Sequence, residues 1–207
     1  MPAAFDPVTI TTERLRLRPL EVRDAAALMA IYAKPTVMRF GSTPPWRTMD
    51  EAHAYVATKR QAMADGSFLT LGLERRDDGR LIGDCSLFEI FPQCRRAEIG
   101  YGMDDGAWGH GFMHEALSAF LGHGFEVLNL NRVEADVDPR NVASVRLLER
   151  LGFRQEGLLR ERWIVAGEVS DSALYGLLRR DWRPSPVGPR ACRAASATPS
   201  HPVRTPS

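Results

Sequence analysis

The chain has 207 residues, 27 of them basic and 26 acidic, for a formal net charge of +1. That length suits one domain with ends, and the near-neutral balance excludes an electrostatic case for generic nucleic-acid binding. An apolar fraction of 44% is enough for a core without disulfides or metal.

No stretch approaches the length of a membrane-spanning helix, and Met1 to Asp6 carry no basic-then-apolar signal. Cys85, Cys94 and Cys192 are scattered, odd in number and without metal-ligand spacing. A reducing, cytoplasmic setting with no membrane partner is the expectation.

Residues 1–11 read as a loose lead. Arg14 to Arg18 alternate basic and apolar residues, the pattern of a strand with one buried face. Asp24 is placed to cap an alanine-rich helix over 25–33. A loop with Pro35, Pro44 and Pro45 follows. Thr48 and Glu51 then form a capping box ahead of Ala52, Tyr55, Val56, Lys59 and Met63 on one helical face. Ser67 to Glu74 and Leu81 to Ile90 read as strands joined by the turn Asp77-Asp78-Gly79, and Glu98 to Met103 as a third. A glycine loop leads into a helix over 111–127. Arg132 to Val137 is a strand stopped by Pro139. A helix over 141–151 ends at Gly152, with Phe153 set for the hydrophobic contact of a left-handed cap. Two strands, 153–165 and 169–178, turn around Ala166-Gly167. The order predicts an α/β fold, a mixed and mostly antiparallel sheet flanked by four helices, over residues 12–182.

From Arg183 onward there are six of the fourteen prolines, four arginines and no acidic residue. Residues 183–207 therefore read as a disordered tail. Residues 1–182 carry 23 basic and 26 acidic groups, a body of −3.

The segment Trp108-Gly109-His110-Gly111-Phe112-Met113 joins a strand to a helix start. Two close glycines let backbone approach a ligand, and the free N–H groups of a first helical turn favour an anion such as a phosphate or pyrophosphate. A dinucleotide fingerprint starting at Gly109 needs Gly or Ala where His114 stands. A P-loop starting at Gly106 needs Lys and Ser/Thr where Phe112 and Met113 stand. Both common nucleotide readings fail on these residues, and plain turn glycines stay open as the alternative.

A second constellation lies one strand downstream, Asn141-Val142-Ala143-Ser144 through Leu151-Gly152-Phe153. With it, four stretches stand in order: Thr12-Glu13-Arg14-Leu15-Arg16-Leu17-Arg18-Pro19, Glu98-Ile99-Gly100-Tyr101, Gly109-x-Gly111 with Glu115-Ala116-Leu117 behind it, and Asn141 to Phe153. Together they resemble the GNAT superfamily of N-acetyltransferases, closest to the branch that acetylates the N-termini of ribosomal proteins. The resemblance covers nearly all of 12–182.

It implies acetyl-CoA as co-substrate and a sheet splayed between its fourth and fifth strands with pantetheine running through the gap. It implies that backbone amides of Gly109, His110, Gly111, Phe112, Met113 and His114 take the pyrophosphate. The strand carrying Ile99 and Tyr101 would bond pantetheine through its backbone, and Asn141 would contact the same arm from the other side. Two departures stand out: Trp108 where the superfamily has Gln or Arg, and Met113 where it has Gly or Ala.

Direct transfer needs a proton acceptor for the ammonium, a donor for the oxyanion and a donor for the departing thiolate. Ser144, one turn from Asn141, is the candidate for the thiolate, because Leu148 stands where many members carry a donating Tyr; backbone capping is its alternative role. Glu98 is the candidate base, with pairing to Arg95 or Arg96 as its alternative. Glu161 and Glu168 are reserve carboxylates. Tyr175 reads as a core-edge residue. His110 and His114 lack a third ligand for a zinc reading. The expected acceptor is the α-amino group of a protein or peptide. A small amine (amino acid, polyamine, antibiotic) or a non-catalytic CoA-binding module is the alternative. A monomer or a homodimer is compatible with the pattern.

Overall fold

The computed structural model describes Phe5 and residues 8–183. The tail expected over 183–207 lies outside the described residues from 184 onward. Eight strands among the described residues form one sheet: β1 Ile10–Thr11, β2 Leu15–Pro19, β3 Leu69–Arg75, β4 Leu81–Phe91, β5 Arg96–Met103, β6 Arg132–Val137, β7 Arg154–Val165 and β8 Glu168–Leu178. Their order across the sheet is β1-β2-β3-β4-β5-β6-β8-β7, antiparallel throughout except for the parallel pair β5–β6.

Among the described residues, five helices flank the sheet: α1 Ala25–Tyr32, α2 Pro35–Met38, α3 Met49–Ala64, α4 Phe112–Glu126 and α5 Val142–Arg150. Two cores result. On one face the sheet packs with α4 and α5 around Leu17, Leu71, Ile99, Phe120 and Phe125. On the other, α1 and α3 close over Leu20, Leu28 and Val56. Phe120 and Phe125 are fully buried, and each contributes on the order of 1.5–3 kcal/mol by leaving water.

The local signals act as their chemistry dictates. The Thr48–Glu51 capping box starts α3. At the end of α5, Gly152 at φ +92 lets Phe153 N–H donate to Leu148 O and Gly152 N–H to Glu149 O, the two bonds of a Schellman cap. Ala166 and Gly167 both take positive φ in the β7–β8 turn, as a type I′ hairpin needs.

Three details differ from the sequence reading. Ile10 and Thr11, inside the stretch read as a loose lead, pair with Leu17 and Arg16 as an edge strand. Pro35 opens a four-residue helix inside the expected proline loop, its fixed φ suiting a first helical position. The Asp24 side chain does not cap α1. Its carboxylate takes a bidentate bond from the Arg18 guanidinium, at 2.8 and 2.9 Å.

That pair explains why the alternation in β2 breaks. Arg18 is 7% exposed, and its Nε also donates to Glu74 at 2.6 Å. Burial alone would raise the Asp24 and Glu74 carboxyls, but the Arg18 bonds, helped by the Glu21 N–H on Asp24 and by Arg16 on Glu74, overturn this and hold both low. Arg18→Ala leaves two buried carboxylates without their main partner and should cost about 3–5 kcal/mol in urea unfolding at pH 7. With the guanidinium gone, Asp24 keeps the Glu21 N–H and Glu74 keeps Arg16 but both are held less low, so the variant loses less stability than wild type as pH falls. Its deficit should therefore shrink from pH 7 to pH 4. A deficit independent of pH would contradict this account.

Candidate active site

Strands β5 and β6 pair at only three positions, Arg96↔Arg132, Ala97↔Val133 and Glu98↔Glu134. Beyond Glu98, β5 continues on β4 as far as Met103, while β6 continues on β8 as far as Val137. The sheet therefore opens after Glu98, and the β5 edge from Ile99 to Met103 has no strand partner on that side. Strand alternation sorts its side chains. Glu98, Gly100 and Gly102 face α1 and α3, while Ile99, Tyr101 and Met103 face α4 and α5. A Cβ at Gly100 would stand 3.1 Å from the Phe88 ring, and one at Gly102 would meet the Tyr32 ring. The glycines thus let two aromatic rings lie close against the strand on the Glu98 face.

The glycine loop sits just past the end of β5. Gly109 and Gly111 both have φ +78, a left-handed conformation that side chains with a Cβ resist, and Gly111 is the N-cap of α4. The first intrahelical bond is Glu115 N–H to Gly111 O, so the N–H groups of Phe112, Met113 and His114 precede the helix ladder. The two departures now have roles. Met113 is buried against the core, so only its backbone faces the loop. The Trp108 indole N–H donates to Met103 O at 3.0 Å and ties the loop to the end of β5.

Across the opening, Asn141 caps α5, its Oδ1 accepting from Ser144 N–H at 3.2 Å. The capping role considered for Ser144 is filled by Asn141. The Ser144 hydroxyl instead meets the Tyr101 hydroxyl at 2.6 Å. Burial pushes Tyr101 up to about 12, with the Ser144 bond opposing. Tyr101 therefore stays protonated at neutral pH and can donate to Ser144 Oγ, which leaves the serine proton for a third group. The Tyr101 side chain was missed by sequence reasoning, which used only its backbone. Leu148 is 1% exposed and packs in the core.

Glu98 is half-buried and pushed up to about 7, first by burial and then by the carboxylates of Asp136, Glu134 and Glu89, with Arg162 opposing. The pairing considered for it does not occur. Arg96 holds Glu134 at 2.6 Å, and Arg95 reaches Asn129. Of the reserve carboxylates, Glu168 is clamped by Arg39 at 3.0 Å and Arg140 at 2.8 Å, while Glu161 is exposed on β7. Tyr175 is buried in the core. Trp163 donates from Nε1 to Asp136 at 3.3 Å. Among the described residues, no group of three or more His, Cys, Asp or Glu side chains is arranged to hold a metal ion. No helix among them is long and apolar enough to cross a membrane.

The family profile described as acetyltransferase (GNAT) domain matches residues 14–154, well over half of the chain. The chain belongs to the GNAT acetyltransferase family. This GNAT protein is 34% identical over 174 residues to the uncharacterized N-acetyltransferase p20 of Bacillus licheniformis, covering 84% of this chain and 98% of that one. It is 30% identical over 189 residues to the ribosomal protein uS5-alanine N-acetyltransferase of Escherichia coli, covering 86% and 94%. Among solved structures, spermidine N-acetyltransferase from Vibrio cholerae in complex with CoA and spermine superposes with a TM-score of 0.72 at 26% identity, covering 81% of this chain and 96% of that one. The GNAT relatives thus include both protein and polyamine acetyltransferases.

Proposed function

We infer that this GNAT acetyltransferase moves an acetyl group from acetyl-CoA to the α-amino group of a protein or peptide. The donor set fits the co-substrate. Three helix-start amides beside two left-handed glycines suit a diphosphate, and the unpartnered edge of β5 suits the amide-bearing pantetheine arm. When bound, acetyl-CoA supplies an activated acyl carbon and a thiolate leaving group. Asn141, beside the opening, is within the region where that arm would lie.

The two faces of β5 divide the chemistry. On the α1/α3 face, Glu98 takes the proton of the incoming ammonium, directly or through a water. The free amine then attacks the thioester carbon. A backbone N–H of the β5 edge, in the stretch Ile99 to Tyr101, stabilises the oxyanion. On the opposite face, Ser144, held by Tyr101, donates to the sulfur as the C–S bond breaks. One amine proton leaves with Glu98 and passes to solvent; the second, lost by the nitrogen as the tetrahedral intermediate collapses, replaces the one Ser144 gives the sulfur, so the products are the amide and the CoA thiol.

The observation that carries the acceptor is the 30% identity to the ribosomal protein uS5-alanine N-acetyltransferase over 94% of that chain, and the raised acidity of Glu98, about 7, agrees with it. An α-ammonium ionises near 7.7–8.0, so its proton moves to Glu98 across about one unit, or ~1.4 kcal/mol; a lysine-like or polyamine ammonium near 10.4 faces about 3.4 units, or ~4.6 kcal/mol. The base is matched to the first and poorly matched to the second. The −3 charge of residues 1–182 adds a weak preference for basic peptides. The test is thiol release from acetyl-CoA at pH 7.5 with peptides starting in Ala or Ser, set against spermidine. The expected kcat/KM favours the peptides by at least about tenfold; a preference for spermidine would contradict the assignment.

A further inference from the structure

The donor loop is braced from outside by residues remote in sequence. Glu115, the fourth residue of α4, accepts from Thr12 Oγ1 at 2.6 Å, from Arg14 N–H at 2.8 Å and from Arg14 Nε at 2.6 Å, contacts that span 101 to 103 positions of chain. The same guanidinium donates through Nη1 to His110 O at 2.9 Å and lies over the Phe112 ring at 4.6 Å. Its Nη2 stands 3.6 Å from where a Cβ on Gly111 would be, and it has no hydrogen-bond partner among the described residues.

One side chain therefore spans the loop from its middle to the first turn of the helix. Holding His110 O fixes the peptide plane between the two left-handed glycines, which sets where the next amides point. Glu115 alone would place a negative charge beside an anion-binding helix start. Burial would raise this carboxyl, but the Thr12 and Arg14 bonds overturn that and hold it ionised. Arg14 cancels the charge while its third nitrogen stays next to Gly111. Two features far apart in the chain, the Thr12–Arg14 opening and the Glu115 that follows the glycines, are thereby one device.

We propose that Arg14 is a binding residue of the donor site, positioned by Glu115: it presets the glycine loop through His110 O and offers Nη2 to the diphosphate of the donor. The proposal rests on the acetyl-CoA reading above.

The full chain can be assayed with two donors, acetyl-CoA and S-acetylpantetheine, which carries the same thioester without the diphosphate. Arg14→Gln should lower kcat/KM for acetyl-CoA about tenfold or more, mainly through KM, because a charge-assisted contact is lost. The loss with S-acetylpantetheine should be at least about fivefold smaller. Glu115→Ala should reproduce the acetyl-CoA defect by releasing the guanidinium, and the double variant should be no worse than Arg14→Gln alone. Arg14→Lys keeps the charge but cannot reach Glu115 and His110 together, so its defect should be intermediate. Equal losses with both donors, additive losses in the double variant, or no loss would overturn the proposal. A wild-type protein that uses S-acetylpantetheine and not acetyl-CoA would overturn the diphosphate site itself, whereas one that uses neither donor would overturn the reading of function on which the proposal stands.

Discussion

Glu98→Gln should lower kcat by about 10²-fold or more at pH 7.5 and raise Tm at pH 8. The first effect removes the proton acceptor on the attacking face. The second follows from linkage. The folded Glu98 carboxyl ionises near 7, above its ordinary 4.5, so between those values the folded state binds more protons than the unfolded state. Stability contributed by the neutral form is present below the unfolded value and is lost as pH rises through 7. Gln carries no charge to desolvate or to repel Asp136, Glu134 and Glu89, so the variant escapes that loss. The gain in Tm should be present at pH 8 and absent at pH 4. A base held ready at the cost of fold stability shows this opposition between activity and stability. An undiminished kcat would remove Glu98 from the reaction, and a lower Tm at pH 8 would contradict its electrostatics.

Ser144→Ala should reduce kcat by roughly 10²-fold while acetyl-CoA affinity stays within about twofold, because the lost contact is made to a charge that develops only as the thiolate leaves. Tyr101→Phe should have a smaller effect of the same kind. Its hydroxyl acts through the 2.6 Å bond to Ser144, so with Ser144 absent it has no donor to orient. The double variant should therefore match Ser144→Ala rather than multiply the two losses. A large rise in acetyl-CoA KM with kcat intact would show the serine to be a binding residue only. Multiplicative losses would show that Tyr101 acts independently of it.

Much of this architecture is readable from the chain because its signals are local. The Thr48–Glu51 box, the Gly152-Phe153 cap and the Ala166-Gly167 turn each depend on residues a few positions apart, and each forms as its chemistry requires. The glycine loop is readable for the same reason, whereas the capping considered for Ser144 at the start of α5 falls to Asn141. What escapes sequence reading is long-range or very short. Strand β1 has two residues and helix α2 four, too few to show a period. Asp24 looks like a cap for α1 because the residues after it are helical, yet its carboxylate points back to the Glu21 N–H and to a buried arginine six positions away. The Tyr101–Ser144 bond crosses the opening in the sheet, and the Arg14–Glu115 bond joins β2's approach to α4. Neither distance is encoded in spacing along the chain. The alternation of β5 could have shown that Glu98 and Tyr101 lie on opposite faces, and that inference alone separates the attacking side from the leaving side.

The most direct test of this division is the pH dependence of kcat at saturating acetyl-CoA and saturating Ala- or Ser-initiated peptide, for wild type and Glu98→Gln. The wild-type profile should rise to a plateau along a limb with an apparent pKa near 7, the ionisation of Glu98. The Glu98→Gln profile should lack that limb and run low throughout. A limb near 7 that persists unchanged in the variant would contradict the assignment of Glu98 as the group that accepts the proton.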